Sequence, residues 1–336
     1  MSDTLQIFGK TFSNATGIVA TDNTDTERTF IRPTGTMTID ENGTYDVSEY
    51  ASAEVSVSGG GDEPIPDDGK TRIWIHIADG TPDNRLTFYL RFTASTANNT
   101  TVDWGDGVSE TLGSTTATNY SHKYSQGGDY VITMTVNSGT ISFIGDSTYR
   151  IYGANTTDNS YNSGRIHRVV FGNNVHVGDY TFYGANGLKS IVISNSITGF
   201  GTNMFNGCFG LASFENSASV TSIPERTFYQ CRVLDNINIP NSVTSIGAYA
   251  FYCCYSLASL TIPENVTSIS ANAFSYAWGL SELHFKPTTP PNVANYNAFA
   301  NFPSDCTIYV PQGCLSAYKN ATNYGTVINN MQEEPT

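Results

Sequence analysis

Basic residues are scarce in this chain. It has 336 residues, of which 14% are charged, and its 16 Lys and Arg stand against 30 Asp and Glu, so the formal net charge is −14. A protein that binds nucleic-acid phosphates or an anionic membrane needs a basic stripe that displaces condensed counterions. We therefore expect no nucleic-acid partner and no attachment to an anionic membrane.

Long apolar runs are also missing. No stretch approaches the roughly 18 apolar residues of a membrane-spanning helix. Residues 1–6 show neither the basic start nor the apolar run of a secretory signal, and residues 331–336 form no anchor. We expect no membrane insertion. Gly, Ser, Thr, Asn and Tyr are abundant, which is typical of β-rich extracellular or virion modules, so a surface-type composition is combined with no visible export signal.

Recognisable catalytic and metal-binding motifs are absent. Asp103 and Asp106 could serve as an acid/base pair or as calcium ligands, but a tight Asp-Gly turn beside a buried Trp104 explains them more simply. A glycan-cleaving site would need two carboxylates about 5–9 Å apart, and we can nominate no such pair. We expect no enzyme, no cofactor and no bound metal. No HExxH, Cys/His or Ser–His–Asp arrangement includes any of the histidines, which are His76, His122, His167, His176 and His284.

The six cysteines do not predict a disulfide framework. Cys208, Cys231 and Cys254 are separated by a constant 23 residues, and no CxxC pair is present to hold zinc. A secreted disulfide scaffold would be shorter and richer in cysteine. We expect buried free thiols that pack as small apolar groups, with a bridge between Cys306 and Cys314 left open.

What the chain does have is a repeat of 23 residues. Several apolar positions recur with this step, and a single unit of that size cannot bury its own apolar side. The period therefore predicts a solenoid of stacked turns. The recurring positions are Phe182, Phe205, Phe228, Phe251 and Phe274; Leu188, Leu211, Leu234, Leu257 and Leu280; Ile223, Ile246 and Ile269; and Val220, Val243 and Val266.

One position varies from turn to turn. Four residues after each repeat phenylalanine stand Asn186, Phe209, Arg232, Tyr255 and Trp278. Exposed aromatic and Arg side chains on a rigid frame commonly anchor glycans and protein partners. We predict a binding site at the last four of these residues. The alternative is that they only pack over the following turn.

The chain before the repeats divides into four segments. Residues 1–58 predict a small β unit that needs a partner surface or its own copies to be stable, with Asn42-Gly43 as a hairpin turn. Residues 59–70, rich in Gly, Pro and Asp, predict a linker. Residues 71–145 contain short alternating strands and Gly-rich turns, which predict a β-sandwich. Residues 146–165 predict a connector that caps the solenoid.

The repeats occupy residues 166–285, and residues 286–336 predict a capping repeat and tail, because the period breaks and prolines enter. The predicted fold class is thus mainly β. It comprises a small N-terminal β unit, a β-sandwich, and a leucine-rich-repeat solenoid with a C-terminal cap.

Three resemblances support these assignments. Residues 234–257 read L-x-x-I-x-I-P-x-x-V-T-S-I-x-x-x-A-F-x-x-C-x-x-L and closely resemble the BspA-like leucine-rich repeat. The D-W-G-D-G sequence at residues 103–107, followed by H-x-Y at 122–124, is similar to PKD-type immunoglobulin-like domains, which implies that the sandwich of residues 71–145 is of this kind. Residues 38–52 resemble a short module found in structural proteins of bacteriophages.

The resemblances imply a non-enzymatic bacteriophage structural protein on the virion surface, such as a head fibre, capsid decoration or tail appendage. We expect it to contact other virion proteins through its N-terminal region, to assemble as a homo-oligomer, and to present the repeats to a host cell-surface glycan or protein. The alternative is a BspA-type adhesin on a bacterial cell surface. A tail-spike depolymerase is a third hypothesis, for which the sequence offers no carboxylate pair.

Overall fold

The structure is a computed structural model, and its chain divides into two units, Met1–Pro66 and Asp67–Thr336. It describes residues 68–79, 85–146, 148–154, 160–193, 197, 199–216 and 220–335, together with five short strands in the first unit. These strands form two antiparallel sheets, β1 with β4, and β2 with β3 and β5. The predicted Asn42-Gly43 turn and most of residues 1–67 lie outside the described residues. The strands are β1 (Thr4–Gln6), β2 (Gly17–Thr21), β3 (Glu27–Ile31), β4 (Thr44–Asp46) and β5 (Val55–Val57).

The second unit begins with two facing β-sheets. Alternation in its strands sends Ile73, Ile75 and Ile77 inward while the residues between them stay partly exposed. Their apolar sides share one core with Trp104 and Phe143. Assignment of this sandwich to the PKD family stays a prediction. Its strands are β6 (Thr71–Ile77), β7 (Thr87–Ala94), β8 (Thr100–Asp103), β9 (Ser109–Leu112), β10 (Thr118–Lys123), β11 (Gly128–Val136) and β12 (Ile141–Phe143).

Both sandwich sheets continue into the solenoid. The first solenoid strand, β15 (Ile166–Val170), pairs antiparallel with β6, and β16 (Val175–Val177) pairs parallel with β12. Two further solenoid strands, β17 (Ser190–Ile193) and β18 (Ser213–Asn216), extend the first of these sheets. One sheet therefore runs in the order β18-β17-β15-β6-β11-β8-β9 and the other β10-β7-β12-β16. The sequence predicts separate segments for the sandwich, residues 71–145, and the repeats, residues 166–285. In the structure the sandwich itself covers the first turn, so the apolar end of the solenoid is closed by β-strand pairing.

The connector between them carries two short strands, β13 (Tyr149–Arg150) and β14 (Gly153–Ala154), and a 3₁₀ helix, Ser160–Gly164. Tyr152 is buried against the first turn and its hydroxyl donates to the Tyr183 carbonyl at 2.6 Å. Arg150 Nε donates to the same carbonyl at 3.2 Å. The connector is thus packed onto the solenoid, alongside the sandwich.

Parallel strand pairing from turn to turn builds the solenoid. Between the regular turns, residues 23 positions apart pair directly, as Ser245 does with Ser222, or Ser213 with Ser190. The predicted mainly β fold with a repeat solenoid is confirmed. The strands are β17 (Ser190–Ile193), β18 (Ser213–Asn216), β19 (Ser222–Ile223), β20 (Ser245–Ile246), β21 (Ser259–Ile262), β22 (Ser268–Ile269) and β23 (Glu282–Phe285).

The repeat phenylalanines form a buried stack through the solenoid. The rings of Phe182 and Phe205 lie 5.4 Å apart at 6°, and those of Phe205 and Phe228 5.4 Å apart at 13°. The stack continues through Phe251 to Phe274, and every ring in it is fully buried. It therefore lines a continuous interior, as the period predicts.

A third side of each turn is a tight reversal around its phenylalanine. The residues two positions before and two positions after the phenylalanine both have positive φ, for example Arg226 at 53° and Gln230 at 59° around Phe228. Between the two, the chain bonds to the next turn, as when Phe228 N donates to the Ala250 carbonyl at 2.9 Å. Gly184 and Gly207 occupy the second position in the first two turns, where a left-handed conformation costs glycine least.

The repeat cysteines are free and buried. Each thiol donates to the carbonyl of the preceding turn's phenylalanine, such as Cys231 Sγ to Phe205 O at 3.3 Å. Burial raises the pKa of the Cys231 thiol, which keeps it protonated and able to donate. All six cysteines of the chain are free thiols, so Cys306 and Cys314 are not bridged.

The C-terminal residues close the far end. Phe299 extends the phenylalanine stack, at 5.8 Å from Phe274. Tyr318 and Tyr324 are buried beside it, and their hydroxyls donate to the Pro287 and Pro291 carbonyls at 2.7 and 3.0 Å. The elements are β24 (Asn292–Val293), a 3₁₀ helix (Tyr296–Phe299), β25 (Thr307–Val310), the helix α1 (Leu315–Lys319), a 3₁₀ helix (Ile328–Asn330) and β26 (Met331–Glu333).

The first prediction concerns the phenylalanine stack. Phe251→Ala removes a buried ring between two stacked neighbours, and we expect it to lower the free energy of unfolding by about 3–5 kcal/mol. Chemical denaturation would measure this. Exposed Val233→Ala is the control and should change stability by no more than about 0.5 kcal/mol. Equal effects of the two variants would contradict an interior role for the stack.

The second prediction concerns pH at the junction of sandwich and solenoid. Burial, with repulsion from Lys189 and His76, lowers the pKa of His167. As the pH falls, the unfolded chain therefore takes up a proton at residue 167 before the folded chain does. Stability present above the unfolded pKa, about 6.5, is lost as pH falls from that value through the lower folded pKa.

We expect His167→Gln to reduce this loss of stability below about pH 6.5. Urea denaturation across a pH series would measure it, with exposed His176→Gln as the matched control. If the stability of His167→Gln falls with decreasing pH as steeply as that of the wild type, the lowered pKa of His167 is not the cause of the loss.

Candidate binding surface

The variable position of the repeat forms an exposed row along the solenoid. We call Asn186, Phe209, Arg232, Tyr255 and Trp278 the outer column. Each lies just beyond the tight reversal, four residues after its phenylalanine. Trp278 is 59% exposed and Phe209 39% exposed, which is unusual for rings of this size.

The side chains of the outer column stack on one another. The Arg232 guanidinium lies 4.6 Å from the centre of the Phe209 ring and 5.9 Å from that of Tyr255. The Tyr255 and Trp278 rings are 5.1 Å apart at 13°. Arg232, Tyr255 and Trp278 therefore pack against neighbouring turns, as the second possibility from the sequence describes, while Phe209, Arg232 and Trp278 stay exposed. A binding role for these residues stays a prediction. The ring faces inside the column are occupied, so a partner meets mainly ring edges and the free side of Trp278.

A second row, which the sequence analysis missed, lies one residue after each phenylalanine. We call Tyr183, Asn206, Tyr229, Tyr252 and Ser275 the tyrosine column. The Tyr229 and Tyr252 rings are 4.8 Å apart and nearly parallel, at 2°. The signal was available, because these residues recur at the same 23-residue step and three of the five are tyrosine.

The residues of positive φ that precede the phenylalanines form a third row beside it. Tyr249 packs its ring edge-on against Tyr252 at 5.5 Å, and Arg226 lies over the Tyr249 ring at 4.9 Å. Together the three rows make one aromatic side of the solenoid. We call this side, comprising the outer column, the tyrosine column and the row of Tyr180, Asn203, Arg226, Tyr249 and Asn272, the aromatic face.

A groove of about 620 Å³ crosses the aromatic face at its first three turns. Its lining combines aromatic rings with amides and a single guanidinium, a mixture suited to a ligand with both apolar and hydroxyl surfaces. The lining residues are Tyr152, Ser163, Tyr183, Gly184, Asn186, Asn206, Gly207, Phe209, Arg226, Tyr229 and Gln230.

The groove is close to electrically neutral over its described lining. Arg226, its one cationic side chain, forms an ion pair with Glu225. No carboxylate is among the described lining residues. Along the same face, desolvation raises the pKa of Tyr252 to about 12, so this phenol is uncharged at physiological pH. The groove therefore offers hydrogen bonds and ring contacts more than net charge.

A polar recess of about 530 Å³ lies elsewhere on the solenoid, at the edge of β18. It is lined by Val192, Ser213, Phe214, Glu215, Asp235, Asn236 and Asn238, several of them solvent-facing strand residues. It has few aromatic groups, and its two carboxylates lie on a solvated surface. We regard the aromatic face as the better candidate site.

The carboxylates of the sandwich act in a turn. Asp103 accepts from Gly105 N at 2.9 Å and Asp106 from Val108 N at 3.2 Å, with Trp104 buried between them. Burial alone would raise the pKa of Asp106. The hydrogen bonds from His122, at 2.7 Å, and from Val108 N, together with the charge of His122, outweigh burial and lower that pKa. The simpler interpretation of these two residues, a turn beside a core Trp, matches the structure. In the described part of the chain, no three His, Cys, Asp or Glu side chains group as a metal site.

The parallel pairing from turn to turn defines the repeat region as a leucine-rich-repeat solenoid. Residues 155–281 match the family described as "BspA type Leucine rich repeat region", in six copies. This repeat region is therefore of the BspA type, as the sequence resemblance implied, and no catalytic family is indicated. A search of curated proteins finds no match. Within the described residues, no helix combines the length and apolar character needed to cross a bilayer.

Solved structures similar to the chain cover about half of it. A leucine-rich-repeat protein of T. pallidum is 23% identical with a TM-score of 0.42, over 52% of this chain and 76% of that one. The pneumococcal vaccine antigen PcpA is 18% identical with a TM-score of 0.40, over 55% of this chain and 42% of that one. A leucine-rich cell surface protein from Faecalibacterium prausnitzii is 18% identical with a TM-score of 0.30, over 52% and 66%. The chain thus spans less than two thirds of the last two.

The third prediction tests the stacking in the outer column. A double-mutant cycle of Phe209→Ala and Arg232→Ala should give a coupling energy of about 0.5–1 kcal/mol, the usual size for an exposed cation–ring contact. Thermal or urea denaturation of the four proteins would measure it. Arg232→Lys keeps the charge but not the planar group, so it should retain only part of the coupling. Simple additivity of the two alanine substitutions would contradict the stack.

Proposed function

We propose that this protein is a non-enzymatic attachment protein that binds a cell surface through the aromatic face of its repeats. The observation that carries the proposal is the exposed stack of Phe209, Arg232, Tyr255 and Trp278 on a stacked β coil. Trp, Tyr and Arg are the residue types that contribute most at binding interfaces. Here three aromatics and one Arg are held in one row.

The rigidity of the frame supports binding. Each ring of the outer column stacks on at least one neighbour, and the backbone beneath it bonds to the next turn, as Gly207 N does to Tyr229 O at 2.8 Å. Side chains that are already ordered lose little conformational entropy when a partner docks. A preorganised aromatic row of this kind suits attachment better than catalysis, which would need positioned titratable groups.

The particle or cell on which the protein is mounted, here called its carrier, is a separate part of the proposal. We propose a bacteriophage virion, with the N-terminal region bound to other virion proteins and the repeats facing a host cell-surface glycan or protein. The support is the resemblance of residues 38–52 to a phage structural module. Assembly as a homo-oligomer would multiply weak contacts through avidity.

The alternative carrier is a bacterial cell surface, with the protein acting as an adhesin of the BspA type. The BspA-type repeats of residues 155–281 support this alternative at least as well as the virion. Either carrier uses the same aromatic face. The virion and the cell-surface proposals therefore differ in the partner of the first unit and share the binding step.

The fourth prediction tests attachment. Labelled wild-type protein should bind a panel of intact bacterial cells, and Trp278→Ala should weaken that binding at least about tenfold, because it removes the most exposed ring of the outer column. Flow cytometry would measure it. Val233→Ala, also exposed but outside the column, is the matched control. Undiminished binding by Trp278→Ala would contradict the proposal.

A localisation experiment separates the two carriers. Immunogold labelling with antibodies against the repeats, applied to lysates of cells that produce the protein, should label phage particles if the virion assignment holds. Labelling confined to the bacterial envelope would support the adhesin and overturn the virion assignment.

A further inference from the structure

The tyrosine column has a gap at its second turn. It carries Tyr183, then Asn206, then Tyr229, so a small amide stands where the turns on either side have a ring. The neighbouring row repeats the substitution, with Asn203 between Tyr180 and Arg226. The groove of the aromatic face is lined by Tyr183, Asn206 and Tyr229 and therefore includes this gap.

Each of the two bordering rings is already covered on one side. The Arg150 guanidinium lies 4.5 Å from the centre of the Tyr183 ring. Tyr252 covers one face of Tyr229 at 4.8 Å. Because Tyr252 belongs to the turn after Tyr229, the uncovered face of Tyr229 is the one toward the turn of Asn206. Tyr183 lies one turn before Asn206 and lines the same groove, so two tyrosines border the position of the smaller amide.

The size of the gap favours a puckered ring as its occupant. Stacked turns lie about 4.8 Å apart, so rings separated by two turns are roughly 10 Å apart. A flat guest in contact with both faces would need only about 7–8 Å, twice the optimal carbon–carbon separation. A pyranose chair is thicker than a flat ring and has apolar C–H groups on both sides. It matches the interval better than an aromatic guest does.

The rim of the gap is built from amides. Asn206 Nδ2 donates to Asn203 Oδ1 at 2.7 Å, which orients the Asn206 amide at the floor. In its hydrogen-bonded orientation Asn186 donates to the Gly184 and Gly207 carbonyls at 3.1 and 2.9 Å, which turns its own oxygen outward. Gln230 completes the set. Amides can both donate to and accept from hydroxyl groups.

We propose that this gap binds one pyranose ring of a neutral oligosaccharide, held between Tyr183 and Tyr229 with its hydroxyls bonded to the surrounding amides. The inference rests on the proposed attachment function and names the class of ligand. Neutrality follows from the described lining, which has no carboxylate and whose Arg226 is paired with Glu225. The amide-rich rim favours a sugar over an apolar side chain of a protein partner.

Asn206→Tyr is the decisive variant because it completes the tyrosine column. Tyr229 and Tyr252 already stack at this position in the next two turns, so the added ring fits the solenoid and occupies the gap. The probes are cellotetraose, chitotetraose and maltotetraose, observed by saturation-transfer-difference NMR and titration with the full chain. We expect the wild type to bind at least one at millimolar concentration, and Asn206→Tyr to weaken binding at least about tenfold.

Two further variants keep the test independent of folding. Asn241→Tyr adds an exposed tyrosine away from the groove and should bind the sugar like the wild type. Tyr229→Ala removes one wall and should weaken binding even if Asn206→Tyr fails to fold. Circular dichroism would verify each fold.

Several outcomes would overturn the inference. These are wild-type protein that binds none of the three tetrasaccharides, folded Asn206→Tyr that binds as well as the wild type, or N-acetyltyrosinamide binding in the gap where the sugars do not. If no tetrasaccharide binds while the protein still attaches to cells through Trp278, the sugar inference fails and the attachment proposal stands. If a tetrasaccharide binds but the protein does not attach to cells, the attachment proposal fails and the sugar inference stands.

Discussion

Contact between equivalent residues of successive turns is the interaction on which the rest of the solenoid depends. Phe228 is stacked on Phe205 below it and Phe251 above it, each at 5.4 Å, and no turn buries its own ring without the others. The backbone bonds follow the same step, because each turn donates to the next at matching atoms. A single 23-residue unit would have neither the apolar contacts nor the hydrogen bonds. Stability is therefore shared between neighbours along the coil.

Such a coil needs a closed interior at both ends, and the two ends are closed differently. At the first turn, the sandwich donates whole strands, so β6 and β12 pair with β15 and β16. At the last, Tyr318 and Tyr324 cover the apolar interior and bond to proline-rich backbone. The first closure joins two folds into one core, and the second is a local cover.

Much of this architecture could be predicted from the sequence. The regular recurrence of Phe, Leu, Ile and Val identified the interior because burial demands the same residue type at each turn. The pairing of β6 with β15 could not be predicted, because nothing in residues 71–77 differs from an ordinary sandwich strand. Positive φ at Arg226 or Tyr276 was equally hidden, since neither residue type favours it.

The candidate site was predicted in part. The varying position of Phe209 and Trp278 was visible, since it changes while its neighbours stay constant. The position of Arg232 between two rings depends on distances between turns, which the sequence does not give. The same holds for the gap that Asn206 leaves between Tyr183 and Tyr229. Alignment of every position of the repeat, and not only of the most variable one, reveals the series Tyr183, Asn206 and Tyr229.

The constant step has a genetic consequence. Since every unit enters and leaves the coil at the same backbone points, unequal recombination between copies can insert or delete a whole unit without disturbing its neighbours. Each such event would lengthen or shorten the row of outward rings by one step. The spacing between Tyr183 and Tyr229 would be reset only by an event that falls between them, so the width of the gap and the length of the coil can evolve independently.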